Sequence, residues 1–376
     1  MLSEKHLKTQ SLMREFTQKF VAPIAAEIDE NHRFPEETLR ALVQHGMMAI
    51  PYPTSYGGAG ADTLAYIIAV EELSKACATT GVILSAHTSL GISPIYTYGS
   101  EALKAKYLPD MMSGKKLGAF GLTEPNAGTD AAGQKTVAIL KDDHYELTGS
   151  KIFITNAIYA DIYVVFAMTQ PELGMKGITA FVIEKGWEGF SFGKKEKKLG
   201  ICGSSTCELI FDHIKVPLEN RLGKEGEGFK IAMGTLDGGR IGIAAQAVGI
   251  AKGALKETIE YAKKRKQFKQ PISNFQNTQF VIADMALQIE AAELLLYRAA
   301  VAKDTQKNYS KEAAMAKLFG SETAMKVTTQ AIQVLGGYGY IKDYPLERMF
   351  RDAKITEIYE GTSEVQRMVI ASSVLR

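Results

Sequence analysis

Glu360 stands in IYEGTSEVQR, residues 358–367, directly before Gly361 and the run Thr362, Ser363, Glu364. A carboxyl group held on a loop in an apolar pocket has a raised pKa and can serve as a general base; an isolated Glu is also an ordinary surface residue. Ser or Thr ahead of an acidic residue and an apolar run reads as a helix N-terminus. Earlier in the chain, FGLTEPNAGTD, residues 120–130, combines Pro125 with Gly121, Gly128 and the hydroxyls of Thr123 and Thr129. Such a loop offers backbone N–H groups and hydroxyls to a flat polar ligand, and it equally suits a plain domain junction. RKQFKQPISNFQNTQF, residues 265–280, sets Arg265 and Lys266 where a helix ends and a Pro-containing turn begins. Phosphate binding and a solvated cationic C-terminus are its two readings. QVLGGYGY, residues 333–340, is not GxGxxG and follows no strand, so it is no dinucleotide fingerprint; a helix C-cap accounts equally well for Gly336. No single stretch identifies a reaction.

These residues need elements to hold them. From Leu2 to about Asp110 apolar residues recur three and four apart, and Pro35 with Glu36 and Glu37 marks a helix start. From about Lys116 to Pro217 the period changes: KIFITNA, DIYVVFAMT, GITAFVIEK and CELIFDHIKVP are short β-branched and aromatic runs punctuated by Gly, Asn and Asp. After KEGEGFK the helical period returns in Ile243 to Tyr261, Phe280 to Ala302 and Lys311 to Leu335. The expected class is α+β: an all-α domain over 1–115, an antiparallel β-barrel or sandwich domain over 116–222, and a four-helix bundle over 223–376.

Composition sets the frame. At 376 residues the chain exceeds one hydrophobic core, and its net charge of +2 gives no basic excess for nucleic acid or anionic lipid. Of 34 glycines, 16 lie between Gly114 and Gly228, as a turn-rich strand domain requires. Cys77, Cys202 and Cys207 form no disulfide framework, and the six histidines are scattered without HExxH, so no metal site and a reducing, cytoplasmic location are expected. Lys5, Lys8, Arg14 and Lys19 break any apolar run in residues 1–25, and no apolar stretch is long enough to span a membrane.

In order, LTEPNAGTD, FITN, LDGGR, RKQF, QVLGGYGY and YEGTSEVQR resemble the signature set of the acyl-CoA dehydrogenase family over essentially the whole chain. GEGFKIAMGTLDGGRIGIAAQAVG and FQNTQF resemble its short-chain, butyryl-CoA branch most closely. The resemblance implies FAD as cofactor, an acyl-CoA substrate, electron-transferring flavoprotein as partner and a homotetramer. It makes Glu360 the base that removes the α-proton while the β-hydrogen leaves as hydride to flavin N5. The thioester oxygen would be bound by the Glu360 N–H and a flavin ribityl hydroxyl, since an α-C–H is too weakly acidic without such support. Residues 120–129 and 153–155, with Phe120, Leu122, Thr123, Gly128, Thr129, Phe153, Ile154 and Thr155, would line the isoalloxazine. Arg265, Gln267, Phe268 and Gln276 would hold the pyrophosphate and adenine side, and Gln333, Gly336 and Gly337 would reach FAD across a subunit interface. Thr362, Glu364 and Gln366 would complete that site, while Thr129, Asp237, Arg240 and Gly361 would meet the CoA thioester.

Departures narrow the carry-over. Phe153 stands where many members have Trp, and Lys269 replaces the Gly of RxQFG. Branches that place the base on another helix carry Glu before the Arg matching Arg240; here Gly239 fills that position, which favours Glu360. GVILSAHTSLGISPI is similar to the decarboxylating glutaryl-CoA type, yet apolar Val82 cannot pair with a second carboxylate. The same machinery run backwards is an enoyl-CoA reductase (acryloyl-, crotonyl- or caffeyl-CoA type) in a bifurcating complex. A catalytically silent flavoprotein scaffold is the non-enzyme alternative, against which Glu360 speaks.

Overall fold

The structure, a computed structural model, describes residues 2–375. The N-terminal part is helical: α1 (Glu4–Phe16), α2 (Ala25–Glu30), α3 (Glu36–Gln44), α4 (Thr63–Ser74), α5 (Ala78–Ser85), α6 (Ser93–Tyr98) and α7 (Glu101–Met112). A π-helical stretch, Ala86–Ile92, continues α5 and is wholly buried. Every residue of α4 and α5 is buried, because both run through the middle of the molecule rather than along its surface.

Eight strands follow: β1 (Gly118–Gly121), β2 (Val137–Leu140), β3 (His144–Thr155), β4 (Ile162–Met168), β5 (Ile178–Glu184), β6 (Phe190–Lys195), β7 (Thr206–Pro217) and β8 (Arg221–Leu222). They form one open sheet in the order β6-β7-β3-β2-β4-β5-β8, with β1 lying on β4. Five of the pairings are antiparallel as expected, but β1 and β2 both run parallel to β4. Period-two alternation reports which face is buried and is silent on strand direction, so this feature was out of its reach. β4 is buried along its whole length. Its Tyr163, Val165 and Ala167 enter the core inside the sheet, while Ile162, Val164, Phe166 and Met168 pack toward α7 and the start of the next helix.

That helix, α8 (Gly228–Lys264), has 37 residues and spans about 55 Å at 1.5 Å per residue. It begins well before the expected Ile243 and carries GTLDGGR inside it. α9 (Gln276–Thr305) and α10 (Ser310–Leu335) complete the long helices; α11 (Gly337–Tyr340), α12 (Leu346–Ile355) and α13 (Ser363–Val374) close the chain. A Cβ on Gly249 would strike Glu71 and Ser74 of α4, so glycine is required at this contact. The N-terminal helices and the bundle share one core, in which Leu64, Ile68 and Leu73 pack with Ile241, Val248, Leu296 and Ala316. Gly249 is the point at which α8 lets α4 approach it closely.

Candidate active site

The bundle and the sheet meet around Glu360, which sits on the short connection between α12 and α13. Its φ is +54°, in the left-handed region that a non-glycine residue avoids, and Gly361 follows at +92°. The turn is held from both sides. Thr362 caps α13 by accepting from the Val365 N–H, and Gln366 Nε2 donates to the carbonyl of Gly361 at 2.8 Å. The Tyr359 hydroxyl donates to Gln246 Oε1, whose amide nitrogen is fixed on the Ala78 carbonyl. Glu360 Oε2 is buried and has no hydrogen-bond partner. Burial pushes the carboxyl up to about 8, against the opposing pull of Lys317 and Arg240. Among the described residues the Glu360 N–H has no protein acceptor.

Two adjoining cavities meet at this carboxyl. One, of about 970 Å³, runs between Val82, Ala86, Leu90, Met233, Leu236 and Arg240 and is floored by the π-helical stretch. Arg240 is one helical turn beyond Asp237, whose Oδ1 accepts from its Nη1 at 2.5 Å. Asp237 also accepts from the Ser310 hydroxyl at the start of α10. Arg240 Nε is buried without a partner, so the cavity holds an unspent donor as well as an unpartnered carboxyl oxygen.

The other cavity, of about 1350 Å³, is lined by Thr123, Gly128, Thr129, Phe153, Thr155, Lys197 and Lys198. β3 carries one extra residue between Lys151 and Ile154 relative to β7. This bulge puts Phe153 at φ +59° and leaves its side chain 59% exposed toward the cavity. The 120–130 loop is tied to the same strand. The Ile152 N–H donates to the Thr123 carbonyl, and the buried Lys151 Nζ reaches Glu124 Oε1 at 2.6 Å, Gln134 Oε1 at 2.9 Å and the Leu122 carbonyl at 3.2 Å. Phe120, Leu122 and Ile154 line the first cavity rather than the second. An aromatic ring, three Thr hydroxyls and two cations suit a flat polar group with a phosphate tail, so the residues present fit FAD.

Other expected site residues lie elsewhere. Arg265, Gln267, Gly336 and Gly337 line one open cleft with Tyr261 and Tyr338, and Glu360 is not part of its lining. Phe268 is 88% exposed beside it, and Gln276 and Gln333 are exposed. Arg265, Gln267, Gly336 and Gly337 thus share one surface of the chain. Gly336 is the C-cap of α10 at φ +61°. Phe268 and Lys269 form the turn of a small hairpin with φ +50° and +64°, so the Gly-to-Lys departure keeps the backbone shape at a cost in strain. Thr362 borders the 1350 Å³ cavity, Gln366 is buried behind Gly361, and Glu364 points to solvent. Sequence reasoning passed over Lys151, Glu124 and Lys317: each is a charged residue in a run whose period marks only apolar neighbours, which gives no signal of burial.

The chain matches the acyl-CoA dehydrogenase N-terminal domain over residues 3–115, the middle domain over 119–214 and the C-terminal domain over 226–375. It belongs to the acyl-CoA dehydrogenase family, and is thus an oxidoreductase. Within the family it is 58% identical to the short-chain specific acyl-CoA dehydrogenase of Clostridium acetobutylicum, covering 100% of this chain and 99% of that protein. It is 49% identical to the acryloyl-CoA reductase (NADH) of Anaerotignum propionicum, covering 100% and 95%. A chain in the solved structure of the electron transferring flavoprotein of Acidaminococcus fermentans, studied towards a mechanism of flavin-based electron bifurcation, superposes with a TM-score of 0.99 at 55% identity, covering 100% and 99%. No helix among the described residues is long and apolar enough to cross a membrane, and no cluster of metal-ligating side chains occurs among them.

Proposed function

We propose that this protein is an FAD-dependent dehydrogenase of short-chain acyl-CoA, of the butyryl-CoA type, in which Glu360 removes the α-proton and electrons pass on to an electron-transferring flavoprotein. The observation that carries this reading is the unpartnered, buried Glu360 carboxyl at the junction of the two cavities. The 970 Å³ cavity takes the acyl chain and the 1350 Å³ cavity takes the isoalloxazine. FAD, when bound, supplies at N5 the acceptor for the β-hydride. Glu360 takes the proton on Oε2, and its backbone N–H, without a protein acceptor, donates to the thioester oxygen as negative charge develops there. One such donor is worth about 3 kcal/mol to a transition state of this kind. Arg240, oriented by Asp237, and Thr129 and Gly361 bind the thioester end, while Phe153, Thr123 and Thr155 position the ring. Val82, Ala86 and Leu90 close the acyl cavity against long chains.

Similarity to the acryloyl-CoA reductase favours a second reading, the reverse reaction. There Glu360 delivers the α-proton to an enoyl-CoA. Arg265, Gln267, Phe268, Gln276, Gln333, Gly336 and Gly337 serve the pyrophosphate and adenine side of FAD from a neighbouring subunit; the cleft lined by Arg265, Gln267, Gly336 and Gly337 shares no lining residue with this chain's own flavin cavity. The four exposed residues Phe280, Leu287, Leu294 and Val301, seven apart on α9, supply an apolar stripe for a homotetramer. Anaerobic titration of the purified holoenzyme with C4 to C8 saturated acyl-CoAs and their enoyl counterparts tests the substrate and the direction. Full bleaching at the lowest concentration is expected with butyryl-CoA; a preference for C8 contradicts the short-chain reading. Oxidation of the reduced enzyme by enoyl-CoA, without bleaching by any saturated thioester, selects the reverse reaction.

A further inference from the structure

Lys317 lies on α10 with no accessible surface. Its ammonium donates to the carbonyl of Gly361 at 2.7 Å, and no carboxylate among the described residues lies within ion-pair distance of it. A cation buried without a paired carboxylate is strongly disfavoured, so its place calls for a compensating role. The carbonyl it holds belongs to the residue after Glu360 and also accepts from Gln366 Nε2. Two donors converging on one carbonyl fix that peptide plane, and with it the left-handed pair Glu360 and Gly361.

Resting on the assignment of Glu360 as base, we propose that Lys317 is its positioning residue: the ammonium locks the Glu360–Gly361 turn and supplies the positive charge that lets the carboxyl ionise inside an apolar cavity. Arg240 from α8 is the other cation facing Glu360; Tyr359 precedes it, and Tyr66 of α4 adds a buried hydroxyl. Lys317 in turn faces Glu360, Arg240, Glu357 and Glu364. The two groups sustain each other. Burial drives Lys317 down to about 8, and the Glu360 charge opposes that fall. Removing the ammonium leaves Arg240 alone to favour ionised Glu360, so the carboxyl titrates at higher pH.

The test is a pH titration of the Glu360 carboxyl by difference infrared spectroscopy on the holoenzyme, with its band assigned by loss in Glu360→Gln. In Lys317→Gln, which keeps a donor for Gly361 but no charge, and in Lys317→Met, which has neither, the midpoint rises by about one pH unit or more. The low-pH limb of kcat/KM moves with it, so activity near neutral pH falls about tenfold and recovers in Lys317→Gln as pH rises. An unchanged midpoint in either folded variant overturns the proposal. Should neither variant fold, the reciprocal measurement decides: the ¹⁵N-detected titration of Lys317 falls in Glu360→Gln if the two charges are coupled, and an unchanged value overturns the coupling. Flavin bleaching that survives in Glu360→Gln defeats the base assignment instead, while a Lys317-dependent midpoint still stands.

Discussion

Glu360 is held in a conformation and an environment that both work against folding. Its carboxyl has a folded-state pKa near 8 against an ordinary 4.5. Between those values the folded chain binds the proton more tightly than the unfolded chain, so this group's contribution to stability is largest below pH 4.5 and is lost as pH rises through about 8. Glu360→Gln, which never ionises, is therefore expected to melt higher than the native protein, with the gap widening from pH 5 to pH 9; thermal melts across that range check it. With Glu360 as the proposed base, kcat/KM for the dehydrogenation is expected to rise about tenfold per pH unit below pH 8 and level above it, and a flat profile there contradicts that role. Gly239 makes room for the carboxyl, since a Cβ there would overlap Glu360 Oε2 and come within 2.9 Å of Leu90. Gly239→Ala should keep FAD and lose at least about tenfold in flavin reduction, read by stopped flow. Glu360 was legible in its YEG motif, and Gly239 through its place before Arg240. Their mutual contact was not, because the two lie on different elements and sequence spacing carries no distance across a fold.

Among the elements, the bulge in β3 shapes the wall proposed to face the flavin. Without the extra residue between Lys151 and Ile154, Phe153 would follow the ordinary alternation instead of standing exposed at φ +59°. Lys151, in the same strand, binds the 120–130 loop through Glu124. Burial holds its ammonium down to about 8, and Lys151→Met leaves Glu124 buried without its cation. A loss of about 3–5 kcal/mol in unfolding free energy is expected from denaturant titration, together with weaker FAD retention. The alternation of the strands was readable; the bulge was not, since KIFITNA shows only an apolar, β-branched run. α8 was read too short for a related reason. Its glycines lower helix propensity, and they sit where neighbours press close, α4 on Gly249, Ser85 on Gly242 and Glu360 on Gly239.

At the scale of the whole molecule, the chain carries two clefts with no common lining residue, which on the proposed reading are two halves of a cofactor site completed between subunits. The cavity lined by Thr123, Phe153 and Glu360 lies at the junction of sheet and bundle, while Arg265 and Gly336 share a separate cleft. Sequence motifs delivered both sets of residues in register, yet the grouping of Arg265 with Gly336 required the packing of α8 against α10. A charge in the exposed stripe of α9 is expected to separate the subunits: Leu287→Lys should sediment as a smaller species and release FAD on gel filtration. A tetramer that persists with FAD bound would place the assembly surface on another face.

The proposed dehydrogenation depends on a proton acceptor at residue 360. Anaerobic addition of butyryl-CoA to the native holoenzyme is expected to bleach the flavin, whereas Glu360→Gln should retain FAD, bind the thioester and leave the flavin oxidised. Bleaching of Glu360→Gln at near the native rate would contradict the central claim.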